Sequence, residues 1–378
     1  MHIIDSMHGG GAETSILEIA PALRSRGVQT SIITLLKDDG CLDGRIDDLG
    51  ITCTRLGHRY SPGTMLELRK MISTEKPDLI HTTLLFANLA GRITAITTRI
   101  PVVTTLANTD YGPEHRRNSR YGPWSVRAVQ AADMASAPLT TRFHAISANV
   151  ATVMSHRLKI PMDRIEVIYR GRDPARLGTL TANRRLHARR ALAIETDAPV
   201  VLSVARLDWQ KGVDTTIDAF RRLVKHYPRA VLLVAGRPGN ASAVIRAKAQ
   251  DCSMIRFLGH RTDIPDLMCA ADVLSFPSRW EGLGGTLVEA MALRLAVVAS
   301  DIAPLAETIG DVGWPLVRPD DGADLAEALA SVLARGAVNE RRKEAGVERF
   351  QQVFTADAAA DRMVKFYREA LIEARRRR

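Results

Sequence analysis

VLSFPSRWEGLGGTLVEAMA, running from Val273 to Ala292, begins as a short apolar run, breaks at Pro277 and a glycine-bearing loop, and resumes as an apolar stretch. Val273 to Phe276 has the length of a buried strand, and Leu287, Val288 and Met291 recur at helical spacing after Gly284 and Gly285. Strand, loop and helix in that order form the repeating unit of a parallel α/β sheet. A helix that starts at glycines leaves backbone N–H groups without partners and carries about half a positive charge there, so Gly284, Gly285 and Thr286 are read as an anion site. Glu281 stands in the loop and Glu289 inside the helix, so the two carboxylates reach different parts of one ligand. Carboxylates accept hydrogen bonds from paired hydroxyls, which suits ribose and other sugars.

The same alternation extends in both directions. Strands are expected at Val200 to Val204, Ala230 to Val234, Ile255 to Leu258 and Ala296 to Ala299 in the second half. In the first half they are expected at Ile3 to Asp5, Thr30 to Leu35, Ile51 to Arg55, Leu79 to His81, Val102 to Leu106, Phe143 to Ile146 and Ile165 to Ile168. Helices such as Glu13 to Arg26, Thr64 to Thr74 and Asn88 to Thr97 lie between them. The 378 residues exceed what one core usually supports. The fold expected is therefore α/β with two Rossmann-like, doubly wound domains facing a central cleft. Residues 1–168 are expected to form the N-terminal domain and residues 169–354 the C-terminal domain; Tyr169 to Asn183 reads as a linker. Residues 355–378 are a last helix, crossing back to the N-terminal domain and ending in a basic tail.

Composition narrows the function. The net charge of +10 calls for an anionic partner, yet aromatics are only 5% and no nucleic-acid recognition motif is present, so nucleic acid is not expected. Cys41, Cys53, Cys252 and Cys269 form no CxxC pair and read as reduced thiols without a metal. No apolar stretch is long enough to span a bilayer and no signal-peptide pattern opens the chain, from which cytoplasmic residence is expected.

Ligands of open α/β sheets sit beyond the carboxyl ends of the strands, and two further motifs lie there. SVARLDWQKGVDTTIDAF, Ser203 to Phe220, offers Arg206 and Lys211. Each cation about 4 Å from a phosphate charge interacts by roughly 4 kcal/mol at an effective dielectric near 20, before desolvation. Two cations and a helix N-terminus balance a leaving diphosphate, and no DxD triplet is present to carry a metal, so none is expected as cofactor. MHGGGAETSILEIAPALRSRG, Met7 to Gly27, supplies Gly10 and Gly11 for close backbone approach to the same ligand.

These segments resemble glycosyltransferase family 4, whose members have the GT-B fold. The resemblance covers nearly the whole chain, through PDLIHTTLLFANLAGR (Pro77 to Arg92), HAISANV (His144 to Val150) and DRIEVIYRGRD (Asp163 to Asp173) to EGLGGTLVEAMA. It implies a retaining transfer in which Arg206 and Lys211 bind the donor diphosphate, Glu289 holds the ribose and Glu281 contacts the transferred sugar. Glu281, Arg206 and Lys211 are then the catalytic set. The base is expected near Gly236, Arg237, His260 and Arg261, with UDP or GDP favoured. Family members often carry a histidine after the strand that here reads PVVTTLANTDY; Ala107 stands there, beside Asn108, and His81 reads as a structural residue.

The acceptor is expected on the polar segment Asn108 to Arg120, at Asn108, Tyr111, Arg116, Arg117 and Arg120. Its arginines suit a phosphorylated or lipid-linked acceptor at an anionic membrane surface, with the protein peripheral on the inner face, in envelope glycan or glycolipid synthesis. A soluble natural product or metabolite is the alternative acceptor. A nucleotide-sugar epimerase, a phosphorylase and a non-catalytic nucleotide-sugar-binding subunit are the competing readings of the donor motifs.

Overall fold

The computed structural model describes every residue except Asp39, 58–61, 114–121, Arg335 and Arg378. It divides into two compact units, Met1–Asp173 with Thr355–Arg378, and Pro174–Phe354. In the first, β1 (His2–Ile4), β2 (Ser31–Thr34), β3 (Thr52–Arg55), β4 (Ile80–Thr83), β5 (Val102–Leu106), β6 (Arg142–Ala145) and β7 (Ile165–Val167) form one sheet in the order β3-β2-β1-β4-β5-β6-β7. The second holds β8 (Val200–Val204), β9 (Val231–Ala235), β10 (Ile255–Gly259), β11 (Val273–Phe276), β12 (Ala296–Ser300) and β13 (Leu316–Val317), in the order β10-β9-β8-β11-β12-β13.

Every pairing given for the two sheets is parallel. Parallel strands need helical crossovers that cover the sheet faces, which is why β9, β11 and β12 are buried along their whole length and mostly apolar, Ser275 and Ser300 being the exceptions. The order reverses at β1/β4 in one unit and at β8/β11 in the other. These are the points where a doubly wound sheet opens a crevice at its carboxyl edge.

Two expectations need correction. Residues 169–173 belong with the first unit, not the second. The Ala356 N–H donates to the Arg172 carbonyl (2.8 Å), and Arg172 bridges Thr355. A Cβ on Gly171 would meet the Thr355 carbonyl and the Ala356 backbone, so only glycine allows this close approach. The stretch read as a linker also contains the short helix Pro174–Leu177 and the start of Ala182–Ala191.

The last helix, Ala356–Arg376, packs in the first unit against Gly11–Arg24, inserting Met363, Phe366 and Tyr367 beside Leu23, Val103 and Ile168. Beneath it lies a polar core. His81 Nδ1 is 2.7 Å from the Tyr367 hydroxyl and its Nε2 is 2.6 Å from Thr105 Oγ1. Thr105 in turn meets His144 Nδ1 (3.1 Å), whose Nε2 donates to the Ile168 carbonyl (2.8 Å). His81 is thus committed to the core, as the sequence suggested.

Burial holds these imidazoles neutral. The His2 pKa falls to about 3, through burial, the nearby N-terminal ammonium and His144; that of His144 falls to about 4, through burial and Arg170 against the Ile168 bond. His81 lies well below its ordinary value, through burial and the other two rings. A depressed histidine leaves the folded state with fewer protons than the unfolded one, so its stabilisation is complete above about pH 6.5 and declines as pH falls toward the folded values. Asp5, raised to about 6 mainly by burial, opposes this with one proton. Three histidines less one carboxyl leave two protons, so the first unit should lose about 3 kcal/mol per pH unit between roughly pH 6 and 4.5. Urea unfolding across that range should show this slope, and His2→Leu should reduce it by about 1.4 kcal/mol per pH unit; a flat profile would contradict the assignment.

Candidate functional site

The carboxyl ends of β8, β9, β10 and β11, which are neighbours in the second sheet, gather most of the residues expected at the donor. After β8 the chain passes Arg206, forms a 3-10 turn at Trp209–Lys211, and enters the helix Val213–Leu223 through Gly212. After β11 it passes Ser278 and Glu281 and enters Gly285–Ala292 through Gly284, whose φ is 89°. Each sharp entry sets a short helix directly behind its strand, so side chains in the connecting loop are presented at the sheet edge.

Lys211 and Glu281 meet there. Lys211 Nζ donates to Glu281 Oε1 at 2.5 Å, and Ser278 Oγ donates to the same oxygen at 2.9 Å. The Glu281 side chain is 9% exposed and that of Lys211 22%. Such a pair gains little net stability, because desolvating both charges offsets their attraction, yet it fixes where they sit. Arg206 remains largely open, at 61% side-chain exposure, and pairs with Asp208.

The helix Gly285–Ala292 has no side-chain cap; the Leu287 N–H donates back to the Gly284 carbonyl (3.0 Å), which leaves the amides of Gly285 and Thr286 as the donors for an outside acceptor. Glu289 is half-buried on the following turn, roughly 7 Å along the axis from Gly284. Gly236 follows β9, and its N–H donates to the Gly259 carbonyl (2.7 Å). Arg237 Nη2 lies 3.4 Å from His260 Nε2 on the adjacent strand end. Arg261 is held by Asp263 through two bonds of 2.7 and 2.5 Å, so its guanidinium is engaged within its own loop.

In the first unit, Gly10 caps the helix Gly11–Arg24 after β1, and both glycines are exposed. Asn108 follows β5, its Oδ1 accepting from the Thr109 N–H (2.9 Å). Tyr111, expected at the acceptor, is instead buried, and its hydroxyl donates to Asp133 (2.7 Å), which also pairs with the buried Arg92. Arg116, Arg117 and Arg120 lie outside the described residues.

The sequence reading passed over several residues that shape these edges. Asp5, at the end of β1, accepts the Ala87 N–H (2.7 Å) and so ties the helix Leu85–Thr98 to the glycine loop's strand. Asn240 Oδ1 accepts the Trp209 N–H, and the Asn240 N–H donates to Asp208 Oδ1. Arg279 sits inside the quoted motif, but its partners are far away in the chain. Among the described residues no three His, Cys, Asp or Glu side chains gather to hold a metal ion, and no helix is long and apolar enough to cross a membrane.

Residues 9–176 match the family model described as Glycosyltransferase Family 4, and residues 198–335 the one described as Glycosyl transferases group 1. D-inositol 3-phosphate glycosyltransferase of Xylanimonas cellulosilytica is 28% identical over 312 residues, covering 78% of this chain and 72% of that protein. The 2-deoxystreptamine glucosyltransferase of Streptomyces kanamyceticus is 27% identical, covering 95% of this chain and 99% of the relative. Among solved structures, HepE of Anabaena in complex with UDP-glucose superposes with a TM-score of 0.85 at 21% identity, over 97% of this chain and 99% of HepE, which shows a shared fold.

Gly212 has φ of 62°, and an added Cβ would collide with the Pro277 carbonyl, on the loop that leads to Glu281. Gly212→Ala should therefore destabilise the second unit by roughly 2–4 kcal/mol, through the left-handed conformation and the clash together. Thermal melting of the variant beside the parent measures this, and an unchanged melting temperature would show that the loop yields freely.

Proposed function

Because the chain belongs to glycosyltransferase family 4, its two matched segments spanning residues 9–176 and 198–335, we propose that it is a retaining, metal-independent transferase. In this reading it moves a sugar from a nucleotide diphosphate donor, UDP or GDP favoured, to an acceptor hydroxyl. The observation that carries the proposal is the meeting of Lys211, Glu281 and Ser278 at a sheet edge beside the uncapped helix at Gly284. A cation, a carboxylate and unsatisfied amides there suit a diphosphate and the sugar attached to it. The UDP-glucose complex of HepE, which has the same fold, agrees with a UDP-sugar donor.

In the proposed reaction the bond from the anomeric carbon to the β-phosphate oxygen breaks while the acceptor oxygen bonds that carbon from the same face. The acceptor proton passes to the departing phosphate oxygen, and no protein nucleophile is used. Arg206, Lys211 and the amides of Gly285 and Thr286 take up the charge that develops on the diphosphate, in place of a metal. Glu281 orients the sugar and Glu289 the ribose; Gly236, Arg237, His260 and Arg261 are assigned to the base.

Glu289→Gln and Arg206→Ala should each weaken nucleoside diphosphate binding about tenfold, or about 1.4 kcal/mol. Glu281→Gln should lower turnover about a hundredfold with a much smaller loss of nucleotide affinity. Turnover should persist in EDTA. Calorimetry with UDP and GDP, beside donor-hydrolysis rates, tests the division of roles; equal loss of nucleotide affinity in all three variants would refute it.

For the acceptor, a lipid-linked or phosphorylated glycan intermediate at an anionic membrane is the first reading. It is supported by the +10 charge and by Arg116, Arg117 and Arg120 following β5. A soluble aminocyclitol-type acceptor is the second, favoured by the end-to-end similarity to a 2-deoxystreptamine glucosyltransferase. Replacing the three arginines by alanine should weaken binding to anionic vesicles by about 3 kcal/mol, counting about 1 kcal/mol per basic residue, with donor hydrolysis intact. Vesicle binding equal to the parent's would favour the soluble acceptor.

A further inference from the structure

One side chain reaches every segment that frames Lys211 and Glu281. Arg279 Nη1 donates to the Trp209 carbonyl (2.5 Å) and to Asp214 Oδ1 (3.0 Å), and its Nη2 donates to Asp214 Oδ2 (2.8 Å). The same Nη2 pairs with Asp320 Oδ1 at 2.6 Å. The guanidinium carbon lies 3.7 Å from the centroid of the Trp209 ring, which covers its outer face. The Arg279 and Asp214 side chains are only 9% and 8% exposed. Main-chain bonds reinforce the junction: Arg279 N–H donates to the Gln210 carbonyl, and Gln210 Nε2 to the Trp280 carbonyl, each at 2.8 Å. Asp320 itself sits at φ 64°, in the left-handed region that aspartate adopts more readily than most side chains.

We propose that Arg279 is a positioning residue, which sets the spacing between the diphosphate cation Lys211 and the sugar-side carboxylate Glu281 without touching the donor. The proposal rests on the donor reading given above. Lys211 lies two residues beyond Trp209 and Glu281 two beyond Arg279, so a clamp between Trp209 and Arg279 fixes the two functional groups against each other. A planar fork is required, because one group must satisfy a carbonyl, a bidentate carboxylate and a second carboxylate while lying flat on an indole. An ammonium has neither the reach nor the shape. UDP alone can follow Lys211 if the loop shifts, whereas a sugar nucleotide must meet Lys211 and Glu281 at once, so loosening the clamp penalises the second more than the first.

The test compares the full-length parent with Arg279→Lys and with the double variant Arg279→Met, Asp214→Asn, which leaves no buried carboxylate unpaired. Amide hydrogen exchange without ligand should quicken at residues 207–212 by about tenfold or more in both variants, with β8 and β9 unchanged. UDP affinity should change by less than about threefold while UDP-glucose affinity falls by about tenfold or more. Parent-like exchange at 207–212 in the folded double variant, or equal losses for UDP and UDP-glucose, would overturn the proposal, and full rescue by lysine would overturn the fork geometry. If the parent binds neither UDP nor UDP-glucose, this UDP-sugar form of the donor reading fails, and the exchange result still decides whether Arg279 clamps the loop.

Discussion

Lys211 and Glu281 come from loops seventy residues apart in the chain and end with their charged atoms 2.5 Å from each other. Much of the second unit's carboxyl edge is arranged around that meeting. Burying a carboxylate at 9% exposure is unfavourable unless a cation and further donors satisfy it, and here one ammonium and one hydroxyl do so. In the proposed reaction the incoming diphosphate competes with Glu281 for Lys211, and the sugar hydroxyls become new donors to the carboxylate. The pair therefore holds its charges in reserve, already desolvated and oriented, for a ligand that brings both kinds of group.

The constraint explains why the backbone around it tolerates so little. Gly212 and Gly284 each end an eight-residue connection and turn the chain sharply into its helix. Arg279, Asn240 and Asp208 bind the loops to one another, so their positions do not depend on ligand contact alone.

The first unit is organised differently. Its carboxyl edge carries the glycine loop and Asp5, which receives the first turn of a neighbouring helix. Its interior is a chain of neutral histidines, threonine and tyrosine under the returning C-terminal helix. Tyr367 contributes to that core from the far end of the sequence, so the first unit is completed only when the last helix is in place.

Most strands were legible because a parallel strand buried on both faces is rich in apolar and β-branched residues; Val102–Leu106, Val200–Val204 and Val273–Phe276 have the very bounds expected. β13 escaped notice because two residues carry no periodicity. The glycine-to-helix turns and the residue types of the donor edge were likewise visible, since backbone geometry and charge are local properties. What the sequence did not contain was pairing. Tyr111 looked polar and open but is spent on Asp133, twenty-two residues later. The boundary at Asp173 follows from a bond to a segment nearly two hundred residues later. The sequence by itself determined that there are two parallel α/β units and which residue types stand at their strand ends, because periodicity and turn chemistry act over a few residues. Only the tertiary structure decided which of those side chains are committed to a neighbour and which remain at the edge, because a hydrogen bond or ion pair depends on distance in space, to which separation along the chain gives no guide.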